Sequence, residues 1–195
     1  MSIKVPATEH PVSDLVRNRW SPRAFSPKSI EPAVLKTILE AASWAPSANN
    51  LQPWSYVYAT KENTEQFEKL KSILLPGNHL WAQHADVLIL ASAITAYGPD
   101  NTPNAYAWYD LGAANATLLL EARQHDVFGH VMGGFDRKKA KEVFHFPEHV
   151  EPVVVIALGH LGEAGQLDEP FYTREVTPRS RKALGEFAFA GDFPS

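Results

Sequence analysis

The residues best suited to chemistry in this sequence are arginines at its two ends. Near the start, Arg19, Ser21 and Arg23 offer two forked cationic donors and a hydroxyl group within one short segment. Guanidinium groups bind phosphate oxygens in a bidentate manner, so this combination suits a phosphate monoester. Near the end, Arg179 and Arg181 lie in a second basic run. The plain alternative is two solvated surface patches; the functional hypothesis is that both ends of the chain bind one anion.

Two further segments offer polar groups that suit a planar, polar ligand. Residues 46–54 are rich in small and amide side chains, which can hydrogen-bond a heterocycle that carries both donors and acceptors. An ordinary polar turn is the structural alternative, although the pattern is far more specific than most turns. Gly133 and Gly134 allow the backbone to lie flat against a ring and to present an N–H group. Their alternative role is a tight turn before a helix capped by Asp136.

Length and composition exclude several classes of protein. A chain of 195 residues suffices for one domain with a sizeable core. The absence of cysteine excludes disulfides and thiol chemistry and is typical of a reducing compartment. The net charge of −4 argues against a nucleic-acid partner. The longest apolar run, Val87 to Ile94, is too short to span a membrane, and the N-terminus lacks a signal-peptide pattern. We therefore expect a cytoplasmic protein without nucleic-acid or membrane partners.

Hydrophobic periodicity predicts the elements that must position these groups. Strands are predicted where β-branched and aromatic residues cluster, at 54–59, 87–93, 127–132 and 153–158. Helices are predicted from amphipathic spacing or caps at 13–18, 32–45, 62–74, 110–123 and after Asp136. Because helices and strands interleave without strict alternation, the pattern predicts an α+β fold rather than a doubly wound sheet. The aromatic tail after Gly159 has little periodicity and is predicted to cover its own domain or a partner.

Two other kinds of site fit the sequence poorly. The glycines Gly159, Gly162 and Gly165 follow a strand, but their spacing differs from that of a dinucleotide-binding fingerprint. Among the eight histidines, His145 and His149 have helical spacing, but Pro147 between them breaks the helix. No metal site is therefore predicted.

The order of the motifs along nearly the whole chain resembles the nitroreductase family. The motifs are Arg-x-Ser-x-Arg-x-Phe (19–25), Pro-Ser-x-x-Asn-x-Gln-Pro-Trp (46–54), Asp-Leu-Gly-Ala-Ala (110–114), Gly-Gly-Phe-Asp (133–136) and Arg-Ser-Arg-Lys (179–182). The resemblance implies an α+β fold with a central, mostly antiparallel sheet among helices. It implies one FMN-binding domain over residues 1–195, with a tail from about residue 160. It also implies a homodimer with FMN at the subunit interface and NADH or NADPH as the electron donor.

The resemblance further implies a set of cofactor-binding residues. Those for the phosphate and the near edge of the flavin are Arg19, Ser21, Arg23, Arg179 and Arg181, with Trp20 at the pocket edge. Those from the partner subunit are Ser47, Ala48 and Asn49. Those beside the flavin ring are Met132, Gly133, Gly134 and Asn78, the last in a loop before Trp81. Gly133 would donate its N–H group to flavin N5.

The activity implied by this resemblance is electron transfer from NAD(P)H to nitroaromatics, quinones or similar electron-poor acceptors by a ping-pong mechanism. No side chain is predicted to be an obligate acid or base, because the flavin carries the chemistry. Two alternatives remain open. One is a specialised flavoenzyme of the same fold, acting in dehalogenation, flavin fragmentation or azoline oxidation. The other is a flavin-binding protein without enzymatic activity.

Overall fold

The core of the protein is a four-stranded antiparallel sheet. The computed structural model describes residues 4–5 and 7–194. In chain order the strands are β1 Trp54–Thr60, β2 Val87–Ile94, β3 Ala96–Tyr97, β4 Thr102–Pro103, β5 Phe128–Met132 and β6 Val150–Gly159. The sheet order is β1-β2-β6-β5, and β3 and β4 form a separate short hairpin. Every paired strand is antiparallel.

Strand β2 is buried on both faces of this sheet. Its side chains alternate, so Val87 and Ile89 enter one apolar cluster while Leu88 and Leu90 enter the other. This period of two is the geometry of a strand, and a continuous apolar run results when both faces are covered. The sheet therefore separates two apolar layers.

Helices cover both faces of the sheet. In chain order they are α1 Asp14–Asn18, α2 Pro32–Ala41, α3 Thr64–Lys71, α4 Pro76–Ala82, α5 Ala107–Gln124, α6 Arg137–Phe144 and α7 Phe171–Val176. Helices α2 and α5 contribute to the first cluster, and α3 and α4 to the second. Within the described residues, no helix combines the length and apolar character required to cross a membrane. The predicted α+β class with a mostly antiparallel sheet is confirmed.

One local prediction was wrong, and one short helix was not predicted. Asn78 lies in helix α4 rather than in a loop. This helix is only seven residues long and contains Gly77 and Asn78, both poor helix formers, so propensity did not reveal it. The buried Trp81 side chain holds it to the sheet instead. The tail, which lacks periodicity, nevertheless contains α7, whose six residues are too few for a periodic pattern.

Gly162, which follows strand β6, packs closely against the backbone of Phe25. This contact predicts that one added methyl group lowers the stability of the protein. A Cβ atom at Gly162 would lie 2.6 Å from the Phe25 carbonyl carbon and 2.7 Å from its oxygen. Because backbone atoms cannot rotate away, we expect Gly162→Ala to lower the free energy of unfolding by about 1–3 kcal/mol. Chemical denaturation would measure it.

Gly165→Ala is the matched control, since a Cβ atom there meets nothing within 4 Å. Equal stability of the two variants would contradict the close packing of Gly162 against Phe25.

Candidate functional site

Three arginines from the two ends of the chain lie near one another: Arg179 donates a hydrogen bond to the Arg19 carbonyl, and Arg179 and Arg181 line the same surface pocket. Burial lowers the pKa of Arg19, and the nearby charge of Arg181 lowers it further. Burial likewise lowers the pKa of Arg179, followed by the charges of Arg181 and Arg19. Among the described residues, none of these three groups pairs with a carboxylate. An accumulation of positive charge without an acidic partner suits an anion. We call Arg19, Arg179 and Arg181 the arginine cluster.

The three arginines of the cluster differ in how many hydrogen bonds hold their side chains. The Arg179 guanidinium donates hydrogen bonds to the backbone carbonyls of Lys4, Arg17 and Arg19. It therefore holds the segment that carries Arg19. The Arg19 Nη1 atom lies 3.4 Å from the Ser21 hydroxyl oxygen, and Arg181 is exposed to solvent.

Arg23 belongs to a neighbouring aromatic stack. Its guanidinium lies 5.7 Å from the centre of the Trp81 ring, a cation–π geometry. The Trp81 ring in turn lies 4.4 Å from the His130 ring. Burial lowers the pKa of Arg23, whereas the Glu175 carboxylate raises it. Arg23 thus has an acidic neighbour that the arginine cluster lacks.

The glycine pair after β5 combines one open position and one crowded position. A Cβ atom at Gly133 would meet nothing within 4 Å, and in the described chain its N–H group donates no hydrogen bond to protein. At Gly134 a Cβ atom would lie 2.7 Å from Asn78 Nδ2. This Asn78 nitrogen donates a 2.9 Å hydrogen bond to the Gly134 carbonyl. Helix α4 therefore supports the backbone at the point where Gly133 presents a free donor.

The loop at 47–52 has a constrained backbone. Asn49, Asn50 and Gln52 have positive φ angles of 51°, 55° and 48°, which cost energy in residues other than glycine. The buried Asp110 carboxylate of α5 accepts a 3.0 Å hydrogen bond from the Ala48 N–H group. Ser47 Oγ accepts one from the Gln52 N–H group at 3.1 Å. Among the described residues, no hydrogen bond joins this loop to Arg19 or Gly133.

Comparison with known proteins shows the family to which the chain belongs. Residues 16–160 match the sequence profile of the Nitroreductase family. The chain belongs to the nitroreductase family. A solved structure described as an oxidoreductase containing FMN has 35% sequence identity and a TM-score of 0.92, with 96% of each chain covered.

Two relatives of this nitroreductase family member are known from their sequences. An uncharacterized 15.4 kDa protein in the ask 5' region of Mycolicibacterium smegmatis is 40% identical over 127 residues, which cover 65% of this chain and 84% of that protein. An NADH dehydrogenase of Thermus thermophilus is 26% identical over 175 residues, which cover 75% of this chain and 85% of that protein. The predicted family is confirmed.

Two residues expected at the site of this nitroreductase family member have buried side chains instead. Trp20 is 8% exposed and packs edge-on against Phe128, with a centroid distance of 6.0 Å. Met132 is 3% exposed and belongs to the second apolar cluster. Both side chains are therefore core residues, and the role of these two residues in cofactor binding stays a prediction. The local sequence could not show whether Trp20 and Met132 are core or pocket residues, because apolar side chains are common both in a core and at the edge of a pocket.

Two supporting residues were missed by the sequence reasoning. Glu175 of α7 is buried beneath the Arg23 backbone, and His130 of β5 lies beneath Pro22. His130 Nδ1 is 2.9 Å from the Pro22 carbonyl oxygen, to which it can donate. In the sequence, His130 differs from its neighbours only as an ionisable residue in an apolar strand, and Glu175 only as an acidic residue in a basic segment.

His130 predicts a loss of stability at acidic pH. The pKa of His130 is lowered from 6.5 to about 4, mainly by burial. The hydrogen bonds to the backbone carbonyls of Pro22 and Ser21 oppose this shift, and the nearby charges of Arg23 and Arg19 add to it. Between pH 6.5 and 4 the unfolded chain binds a proton that the folded chain excludes. The free energy of unfolding should therefore fall by about 3 kcal/mol as pH decreases through this window. Chemical denaturation of flavin-free protein at successive pH values measures this.

A pair of histidine variants separates this effect from general acid denaturation. His130→Gln should flatten the profile, whereas His84→Gln, at an exposed position, should leave it unchanged. An identical pH profile in wild type and His130→Gln would contradict the prediction.

Proposed function

We propose that this chain is an FMN-dependent oxidoreductase that takes electrons from NADH or NADPH and reduces electron-poor planar molecules such as nitroaromatics or quinones. Membership of the nitroreductase family supports the general chemistry. A 35% identical structure described as containing FMN supports the cofactor. The single observation that carries the proposal is the arginine cluster, which joins the two ends of the chain without an acidic partner.

The residues present fit both the phosphate and the ring of FMN. Arg19, Ser21 and Arg181 offer charged and hydroxyl donors to the phosphate. Arg179 holds the Arg19 backbone and adds positive charge. Strand β5 leads from His130, beneath Pro22, to the free N–H group of Gly133, a distance of about 10 Å for three residues. Strand β5 therefore connects the segment that carries Arg19 and Ser21, through the His130 contact with Pro22, to the Gly133 donor.

The bound flavin would supply the redox chemistry, accepting a hydride and passing on electrons. The protein's own residues bind and orient it. The Gly133 N–H group would donate to the ring edge, and Asn78 keeps the Gly134 backbone in place. Donor and acceptor would bind beside this flavin in turn, which is a ping-pong mechanism.

We also propose a homodimer in which Ser47, Ala48 and Asn49 complete the partner's flavin site. Large aromatic side chains lie exposed near this loop and on α5, with Trp44 80%, Tyr109 77% and Trp108 51% exposed. Exposed aromatic surface of this extent is rare on monomers. The tail adds Phe187 and Phe193, which are 60% and 85% exposed. Gel filtration of FMN-loaded protein at twice the chain mass would support the dimer; a monomer that holds FMN would contradict the shared site.

A visible absorption spectrum of the purified protein tests the function. We expect flavin bands that bleach on anaerobic addition of NADH or NADPH and return when a nitroaromatic or quinone is added. Bands that fail to bleach would reassign the chain to a specialised flavoenzyme or a non-enzymatic flavin-binding protein. Absence of flavin after FMN is added back would overturn the proposal.

A further inference from the structure

Glu175 is a buried carboxylate that binds the backbone of the Arg19–Ala24 segment. Its side chain is 4% exposed. Both of its oxygens accept hydrogen bonds from the Arg23 N–H group at 3.0 Å, and Oε1 also accepts one from the Ala24 N–H group at 3.1 Å. Two consecutive amides therefore point at one carboxylate from helix α7, more than 150 residues away in the chain.

Burying a charged carboxylate is unfavourable unless hydrogen bonds and opposite charges compensate for the lost hydration. Here the two amides supply the hydrogen bonds, while Lys4 and Arg23 supply positive charge: burial lowers the pKa of each, and the nearby Glu175 charge opposes that lowering. This compensation requires the Arg23 and Ala24 amides to keep one orientation. The position of Glu175 therefore restricts the backbone that follows Arg19 and Ser21.

We propose that Glu175 is a positioning residue for FMN, which fixes the backbone that presents Arg19 and Ser21 to the phosphate. This inference rests on the proposed function. Glu175 touches no cofactor atom in this scheme; it acts through the Arg23 and Ala24 amides. The C-terminal helix α7 thereby becomes part of the cofactor site, although it provides no ligand.

The sign of the effect distinguishes positioning from simple electrostatics. The negative charge of Glu175 lies beside Arg23 rather than within the arginine cluster, but at this range it still opposes the binding of a phosphate, so its removal alone would strengthen FMN binding. The change Glu175→Gln also replaces one accepting oxygen by an NH2 group, which would face an N–H donor. Positioning therefore predicts weaker FMN binding, whereas a purely electrostatic role predicts tighter binding.

The experiment is titration of flavin-free protein with FMN, followed by flavin fluorescence. We expect Glu175→Gln to raise the Kd for FMN by about ten-fold or more, since a hydrogen bond to a charged group contributes enough for a change of this size. An unchanged or lower Kd for Glu175→Gln would overturn the inference. Failure of the wild-type protein to bind FMN would instead overturn the proposed function.

Asp86→Asn is the matched control. Asp86 is also a buried carboxylate, and it accepts a 2.7 Å hydrogen bond from the Ile30 N–H group, outside the Arg19–Ala24 segment. Both variants should lower the melting temperature, but only Glu175→Gln should weaken FMN binding. An equal rise in Kd for both would assign the effect to stability and overturn the inference.

A shorter carboxylate covers the case in which Glu175→Gln does not fold. Glu175→Asp keeps the charge but withdraws the oxygens by one methylene group from the two amides. We expect a raised Kd for FMN in folded Glu175→Asp protein. Wild-type affinity in that variant would contradict a role that depends on the position of the carboxylate.

Discussion

Replacing Arg19 and Arg181 together with alanine should yield a protein that is purified without FMN. In the described chain Arg19 donates one hydrogen bond to Ser21 and Arg181 one to Ser180, so both keep donors for a phosphate, whereas three carbonyls engage Arg179. A hydrogen bond to a charged group contributes about 1.5–3 kcal/mol. Loss of two should raise the Kd for FMN by about 10²–10⁴-fold. Titration of flavin-free protein and the flavin absorbance of purified protein measure the effect.

Two comparisons make this prediction specific to the phosphate. Lys36→Ala with Lys138→Ala removes the same net charge from two exposed positions outside the cluster and should leave FMN binding unchanged. Riboflavin, which lacks the phosphate, should bind wild-type protein and the Arg19, Arg181 double variant with similar affinity. Stoichiometric FMN in the double variant would refute the phosphate assignment.

Changing Gly133 to proline should slow reduction of the bound flavin by about a hundred-fold, the size found when one preorganised donor to a developing charge is removed. Proline removes the N–H group that we propose donates to the flavin ring. The preceding residue, Met132, ends strand β5, and an extended residue is compatible with a following proline. Stopped-flow bleaching with NAD(P)H measures the rate in protein loaded with FMN.

Gly133→Ala is the control for the same position. It keeps the N–H group, and its Cβ atom would occupy open space, so we expect wild-type reduction and an unchanged melting temperature. Equal rates in the proline and alanine variants would show that this N–H group has no role in reduction. If only the proline variant has a lower melting temperature, the rates are compared at a temperature well below the unfolding transitions of both variants.

Local patterns in the sequence were sufficient for the sheet and the larger helices. Strand β2 was recognised because apolar residues on both faces produce a continuous run, and α5 because it is apolar on most sides. Boundaries moved by a few residues: the buried helix predicted at 110–123 extends over Ala107–Gln124. Short elements such as α4 and α7 were missed, because packing rather than propensity stabilises them.

The sequence by itself determined the order of the motifs, and with it the nitroreductase family, since motif residues are visible without knowledge of their contacts. The tertiary structure decided how those residues pack and which groups they contact. The side chains of Trp20 and Met132 are buried in the core, and the Arg179 side chain donates a hydrogen bond that holds the Arg19 backbone. The support from Glu175 joins positions 152 residues apart. Such contacts arise only when distant segments fold together, so no local periodicity records them.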